Sequence, residues 1–174
     1  MATDNAQKVG FIGLGAMGMG MARSLLRAGF DVHGYDVNPA AVEAFRTDGG
    51  KAAESAADAA SQAGILIIMV LNAEQADDTL FGSGNAAAAL QAAGSSPLVM
   101  LCSTVSPAYA QRTAQSLDDM GIAYLDAPVS GGTSRAAEGA LSVMASGSPA
   151  AFEQAAPILD ALAENVYRLG DAPG

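Results

Sequence analysis

The sequence predicts an α/β fold: a doubly wound, mostly parallel sheet with helices on both faces. Three observations carry that expectation. Short apolar segments alternate with segments of helical spacing along most of the chain. The apolar segments, 65–71 and 98–102 above all, are continuous runs, the pattern of strands buried on both sides. The first of them runs directly into a glycine-rich turn and a helix.

Taken in order, strands are expected at 8–13, 30–36, near 51–53, and at 65–71, 98–102, 122–126, 140–146 and 165–169. Helices are expected at 16–28, 39–48, 54–63, 74–81, 86–93, 107–120, 134–138 and 149–163. Three of the helix starts pair a capping side chain with a first-turn proline: Asn38-Pro39, Ser106-Pro107 and Ser148-Pro149. The alanine-rich stretches 52–63 and 86–93 favour helix and close packing. Residues 1–7 read as a disordered lead, and 8–170 as one domain.

Gly13-Leu14-Gly15-Ala16-Met17-Gly18 is a Gly-x-Gly-x-x-Gly turn. In a chain with 20 glycines the motif alone is a weak signal. Its setting strengthens it. It follows a strand, opens a helix, and is answered by Asp36 at the end of the next strand. That combination predicts a Rossmann-type dinucleotide site. Gly13 permits the tight turn, Gly15 lets the backbone approach the pyrophosphate, and Gly18 lets helix and strand pack closely. The helix N-terminus supplies N–H groups and the positive end of a dipole. Asp36 accepts from the ribose hydroxyls, and neither it nor Val37 offers an arginine to a 2′-phosphate, so NAD is the expected cofactor.

In such sheets ligands lie at the carboxyl ends of the strands. Leu71-Asn72 is one such end, and Asn72 reads equally as a cofactor contact or as a helix cap. Ser103-Thr104 is another, with a hydroxyl within reach of the nicotinamide end. In the segment 126–132, Ser130, Gly131 and Gly132 present a hydroxyl and successive N–H groups, a concavity suited to an anion such as a carboxylate. Arg135 either faces that anion or is a solvated surface residue. Met17 lies in the turn, where it can pack on a cofactor, and Met21 faces the core.

Eight basic residues stand against 18 acidic ones, for a net charge of −10, and no lysine or arginine cluster occurs. This excludes a nucleic-acid surface. No apolar run approaches a membrane span and no secretory signal is expected. The single cysteine, Cys102, reads as a small buried hydrophobe and suits a cytoplasmic protein. His33, the one histidine, sits mid-strand and reads as a core or edge residue. No metal site is expected.

The turn Gly13 to Gly18, followed by Met21-Ala22, Leu25, Ala28-Gly29, Tyr35-Asp36 and Asn38-Pro39, resembles the β-hydroxyacid dehydrogenases. That family includes 3-hydroxyisobutyrate and 6-phosphogluconate dehydrogenases. The segments 126–132 and 141–147 continue the match, which covers 8–174. Met144-Ala145-Ser146-Gly147 and Asn165-Val166-Tyr167 are most similar to the threonate dehydrogenase branch. The resemblance implies NAD contacts at Gly13, Leu14, Gly15, Ala16, Met17, Gly18, Asp36, Asn38, Leu71, Asn72 and Thr104. It implies contacts to the carboxylate of a small hydroxyacid at Ser130, Gly131 and Gly132. Leu101 stands where the family often has aspartate, and Asn72 where it often has proline, which argues against a 3-hydroxyisobutyrate assignment.

The family's acid/base is a lysine in a Gly-x-x-x-Lys-x-x-Asn motif beyond the first domain. The lysines here are Lys8 and Lys51, both at amino ends of strands, so no catalytic residue is expected in this chain. The resulting expectation is an NAD-binding domain at 8–170. Residues 171–174 would start a linker to an absent C-terminal helical domain, through which the full-length protein would form a homo-oligomer. The rival readings are a naturally short, non-catalytic NAD-binding module and a methyltransferase, whose fold also pairs a glycine turn with an acid.

Overall fold

The computed structural model describes residues 7–94 and 96–174. Residues 1–6 of the expected lead lie outside the described residues. Gln7 is tied down, its carbonyl accepting from the Asp31 N–H at 3.2 Å.

The chain runs β1 (Lys8–Ile12), α1 (Ala16–Arg27), β2 (Asp31–Tyr35), α2 (Pro39–Thr47), β3 (Lys51–Ala52), α3 (Ala56–Ser61), β4 (Ile65–Ile68), α4 (Ala73–Leu80), α5 (Ala86–Ala93), β5 (Leu98–Leu101), α6 (Pro107–Asp118), β6 (Ala123–Asp126), β7 (Val129–Ser130), α7 (Gly132–Glu138), β8 (Leu141–Gly147), α8 (Pro149–Leu162) and β9 (Ala163–Gly170). Strands β3-β2-β1-β4-β5-β6 lie side by side and parallel. The order reverses between β1 and β4, which makes the carboxyl end of that pair the switch point of a doubly wound sheet. The expected fold class is the one observed.

Alternation along the strands divides the core in two. Phe11, Ile67, Met100 and Leu125 pack on one face with α1, α2, α7 and α8. Leu66, Ile68, Val99 and Leu101 pack on the other with α3, α4, α5 and α6. Continuous apolar strands are therefore needed, because both faces are covered. All three expected cap-plus-proline starts are realised. Asn38 Oδ1, Ser106 Oγ and Ser148 Oγ accept from the N–H groups of Ala40, Tyr109 and Ala151.

Two departures from the expected elements bear on the site. The apolar run 65–71 leaves the sheet after Ile68, because Val70 is captured by a hydroxyl from β5's exit rather than by a neighbouring strand. The segment after Asp126 is not a loop. β7 continues β6 past Pro128 against antiparallel β8 in unbroken register: Asp126 faces Ser146, Val129 faces Val143, and Met144 N donates to the Pro128 carbonyl at 3.0 Å. Proline lacks an N–H but keeps its carbonyl, so the ladder survives it. β9 then adds in parallel to the other edge of β8. Among the described residues no helix is long and apolar enough to cross a membrane.

Candidate dinucleotide and substrate site

The three turn glycines stand in different surroundings. Gly13 has φ +98°, and a Cβ there would lie 2.0 Å from the Met69 carbonyl oxygen, so only glycine fits between the ends of β1 and β4. A Cβ on Gly18 would lie 1.7 Å from the Gly13 carbonyl oxygen, so its absence sets the distance between α1 and the turn. Gly15 differs. Its φ of −69° and ψ of −170° are open to any residue. A Cβ there would meet nothing within 4 Å. The fold itself does not require a glycine at 15. What its bare backbone provides is an open approach to the N-terminus of α1. Met19 N–H is the first to close onto the helix, on Gly15 O at 2.7 Å, and the earlier N–H groups of Ala16, Met17 and Gly18 have no intrahelical acceptor.

Asp36 is tied to this turn. Its Oδ2 accepts from Leu14 N–H at 2.7 Å and its Oδ1 from Asn38 N–H at 2.8 Å. Each oxygen retains a further lone pair for a ribose hydroxyl. Leu14 itself points inward, buried in the core. Met17 is half-buried and packs against the same core, while Met21 is fully buried. Beyond Gly15 opens a cleft of about 650 Å³ between the ends of β1, β2 and β4 and the start of α4. Val37 and Leu71 line it, 87% and 82% exposed, two apolar side chains presented to the space between them. None of the described lining residues is basic. Glu74 and Asp78, to which the sequence reading assigned nothing, also line the cleft. Their signal was an i, i+4 pair on a helix beginning at the switch point. The Ser83 hydroxyl and N–H hold the Asp78 carboxyl below its ordinary range.

Asn38 and Asn72 both cap helices: Asn72 Oδ1 accepts from Gln75 N–H at 2.9 Å while its side chain stays exposed at the cleft. The Ser103 hydroxyl does not face a ligand. It accepts from Val70 N–H at 2.9 Å and donates to the Val70 carbonyl at 2.8 Å, fixing the exit of β4. Thr104, next to it, is exposed.

Ser130 is exposed at the tip of the β6–β7 arm, and Gly131 (φ +138°) and Gly132 (φ +75°) turn the chain into α7. The aliphatic stem of Arg135 lies against Gly131 in this turn, while its guanidinium is engaged elsewhere. It pairs with Glu164 at 2.6 Å and donates to the Ala140 carbonyl, which makes it a surface residue. Burial pushes the Asp126 carboxyl up, against the Gly174 N–H at 3.3 Å and the Ser146 hydroxyl. Lys8 opens β1 and Lys51 opens β3, where Lys51 pairs with Asp31 at 2.8 Å. Both stand at the amino ends, across the sheet from the cleft. His33 lies mid-strand on β2, its Nε2 3.4 Å from Asp31 Oδ1. Cys102 is buried, and burial with the nearby Asp126 charge pushes its thiol up to about 12. Among the described residues no group of three or more histidine, cysteine, aspartate or glutamate side chains could hold a metal.

Comparison with known proteins places the chain in a family. Residues 8–170 match the family described as the NAD binding domain of 6-phosphogluconate dehydrogenase. An L-threonate dehydrogenase of Cupriavidus necator is 44% identical over 169 residues, 97% of this chain and 56% of that protein. An NAD-dependent L-serine dehydrogenase of Pseudomonas aeruginosa is 39% identical over 94% of this chain and 54% of its own length. A crystal structure of 3-hydroxyisobutyrate dehydrogenase from Salmonella typhimurium superposes with a TM-score of 0.88 at 46% identity, over 97% of this chain and 57% of that one. The chain thus spans about half the length of the curated relatives it matches. From the glycine turn to the end of β9, the chain belongs to the NAD-binding domains of the 6-phosphogluconate dehydrogenase type, within the β-hydroxyacid dehydrogenases.

Proposed function

We propose that residues 8–170 bind NAD for the oxidation of a small hydroxyacid of the threonate class, and that 171–174 lead toward a further helical domain. The observation that carries the reading is the contrast among the turn glycines. Gly13 and Gly18 are required by packing, whereas Gly15 leaves open an approach to the N–H groups of α1. The pyrophosphate lies over Gly15, Ala16, Met17 and Gly18. Asp36 takes the ribose hydroxyls, and Val37 and Leu71 flank the adenine, with Asn38 and Asn72 at the rim. Thr104 stands toward the nicotinamide, which when bound supplies the hydride acceptor. Ser130, Gly131 and Gly132 hold the substrate carboxylate, a reading supported by the exposed hydroxyl and the bare glycine backbone at the tip of β7. The threonate class is favoured by the 44% identity to a threonate dehydrogenase. The whole protein is a cytoplasmic homo-oligomer that associates through the further domain.

Calorimetric titration of the 174-residue chain tests the cofactor site. NAD should bind, and NADP at least tenfold more weakly, because a 2′-phosphate would meet the carboxylates of Asp36, Glu74 and Asp78. Equal affinity would refute the assignment. The same chain should form no NADH from threonate or 3-hydroxyisobutyrate, because its two lysines lie at the amino ends of the strands and a placed base contributes typically 10²–10⁴-fold. Turnover that tracks with the purified chain would show that another base is present.

A further inference from the structure

We propose that Ser24 and Arg27 of α1 are positioning residues for the Ser130–Gly132 turn, so that NAD bound at one end of α1 fixes the turn at the head of α7. The inference rests on the reading that the first turn of α1 holds the pyrophosphate. Ser24 is a polar residue inside the core, 3% exposed, in the last full turn of α1. Its Oγ donates to the Ala136 carbonyl at 2.9 Å and accepts from Arg27 Nη2 at 2.8 Å. Arg27 Nη2 also donates to the Ala137 carbonyl.

Ala136 and Ala137 belong to the last turn of α7, where carbonyls have no intrahelical donors. Besides a long bond from the Gly139 N–H to the Ala136 carbonyl at 3.4 Å, those carbonyls accept from side chains of a helix more than a hundred residues earlier in sequence. The two backbones also meet directly. A Cβ on Gly20 would lie 2.9 Å from Ala137 N and 3.1 Å from Ala136 C. Where side chains of α1 hold the carbonyls and its bare backbone touches α7, neither helix can slide without breaking the buried hydrogen bond from Ser24 to Ala136.

The other end of α7 is built on two glycines. Gly131 and Gly132 both have positive φ, and Gly131 lies against the stem of Arg135 on α7 and against Leu141, so the position of the turn follows from the arm of β7 and from α7. The head of α1 is the open anion-binding end, and its last turn grips α7. One rigid helix therefore spans the cofactor turn and the element that presents Ser130, Gly131 and Gly132.

Amide hydrogen exchange of the 174-residue chain, with and without NAD, tests the coupling. In the wild type NAD should slow exchange at least threefold both at 13–18 and at 131–139. In Ser24→Ala, NAD should bind within twofold of wild type and protect 13–18 as before, while the NAD-dependent protection at 131–139 falls below half. Gly20→Ala, which wedges the helices apart rather than removing the hydroxyl, should give the same pattern, and Ser24→Thr, which keeps the hydroxyl, should retain the protection. A purely structural role for Ser24 would raise exchange at 131–139 equally with and without NAD, leaving the NAD-dependent difference intact, and would overturn the inference. So would wild-type protection confined to 13–18. Failure of NAD to bind the wild type at all would refute the dinucleotide reading itself, and the coupling with it.

Discussion

Gly15 and Gly18 are three residues apart and should respond to substitution in opposite ways. Gly15→Val places a side chain in open space on backbone that accepts one. It should leave the thermal midpoint within about 3 °C and weaken NAD binding by roughly a hundredfold or more, about 3 kcal/mol. Gly18→Ala drives a Cβ to within 1.7 Å of a carbonyl oxygen and should lower stability by about 3 kcal/mol or more. Calorimetry and urea unfolding of the two variants separate binding from folding, and a Gly15→Val protein that still binds NAD would leave the glycine without a role. Cys102 is the other residue with a definite outcome. Burial raises its thiol to about 12, so the reactive thiolate is scarce in the folded chain. A thiol reagent at pH 8 should label it only after urea is added. The raised value also means that folding gains nothing from this group below its ordinary value and is disfavoured as pH climbs above 9 toward 12.

Among the elements, the exit of β4 was the least legible in sequence. An apolar run through Val70 and Leu71 reads as more strand, yet Leu71 ends up exposed beside the cleft. The bonds that decide this, between the Ser103 hydroxyl and both polar groups of Val70 and from Leu71 N–H to Gln75 Oε1, join residues that periodicity does not connect. Ser103→Ala removes both hydrogen bonds to Val70 and should cost about 1–3 kcal/mol. In urea the midpoint should fall at unchanged slope. NAD affinity should fall with it, since Val70, the residue before Leu71, loses its anchor; an unaltered affinity would separate this loop from the cofactor site. β7 escaped notice for a related reason, because Pro128 looks like a strand breaker until the carbonyl half of the peptide is counted. Sequence left Arg135 open between an anion ligand and a surface residue, because Glu164, which pairs with its guanidinium, is brought near by the parallel pairing of β9 with β8. By contrast, β1, α1 and β2 were readable in full, because strand, turn, helix and answering acid are consecutive and each is recognised by residues within it.

At the scale of the molecule, the doubly wound order was legible because continuous apolar strands and alternating helices leave few alternatives, whereas the antiparallel return of β8 against β6 and β7 has no local signature. The reversal between β1 and β4 sets Val37 and Leu71 across from one another, each more than four-fifths exposed. Such a pair gives the empty domain an adhesive spot on a surface of net charge −10, in addition to the exposed Val166, Tyr167 and Leu169 of β9. NAD would then act as a dispersant as well as a cofactor, by covering the spot. Sedimentation velocity should show the weight-average mass of the chain rising with protein concentration in plain buffer, more steeply as salt screens the repulsion, and returning to that of a single chain when NAD is added. The pair Val37→Ser and Leu71→Ser should lose the NAD-sensitive part of this association, and crowding by the empty domain itself would then be a practical limit on handling the unliganded protein.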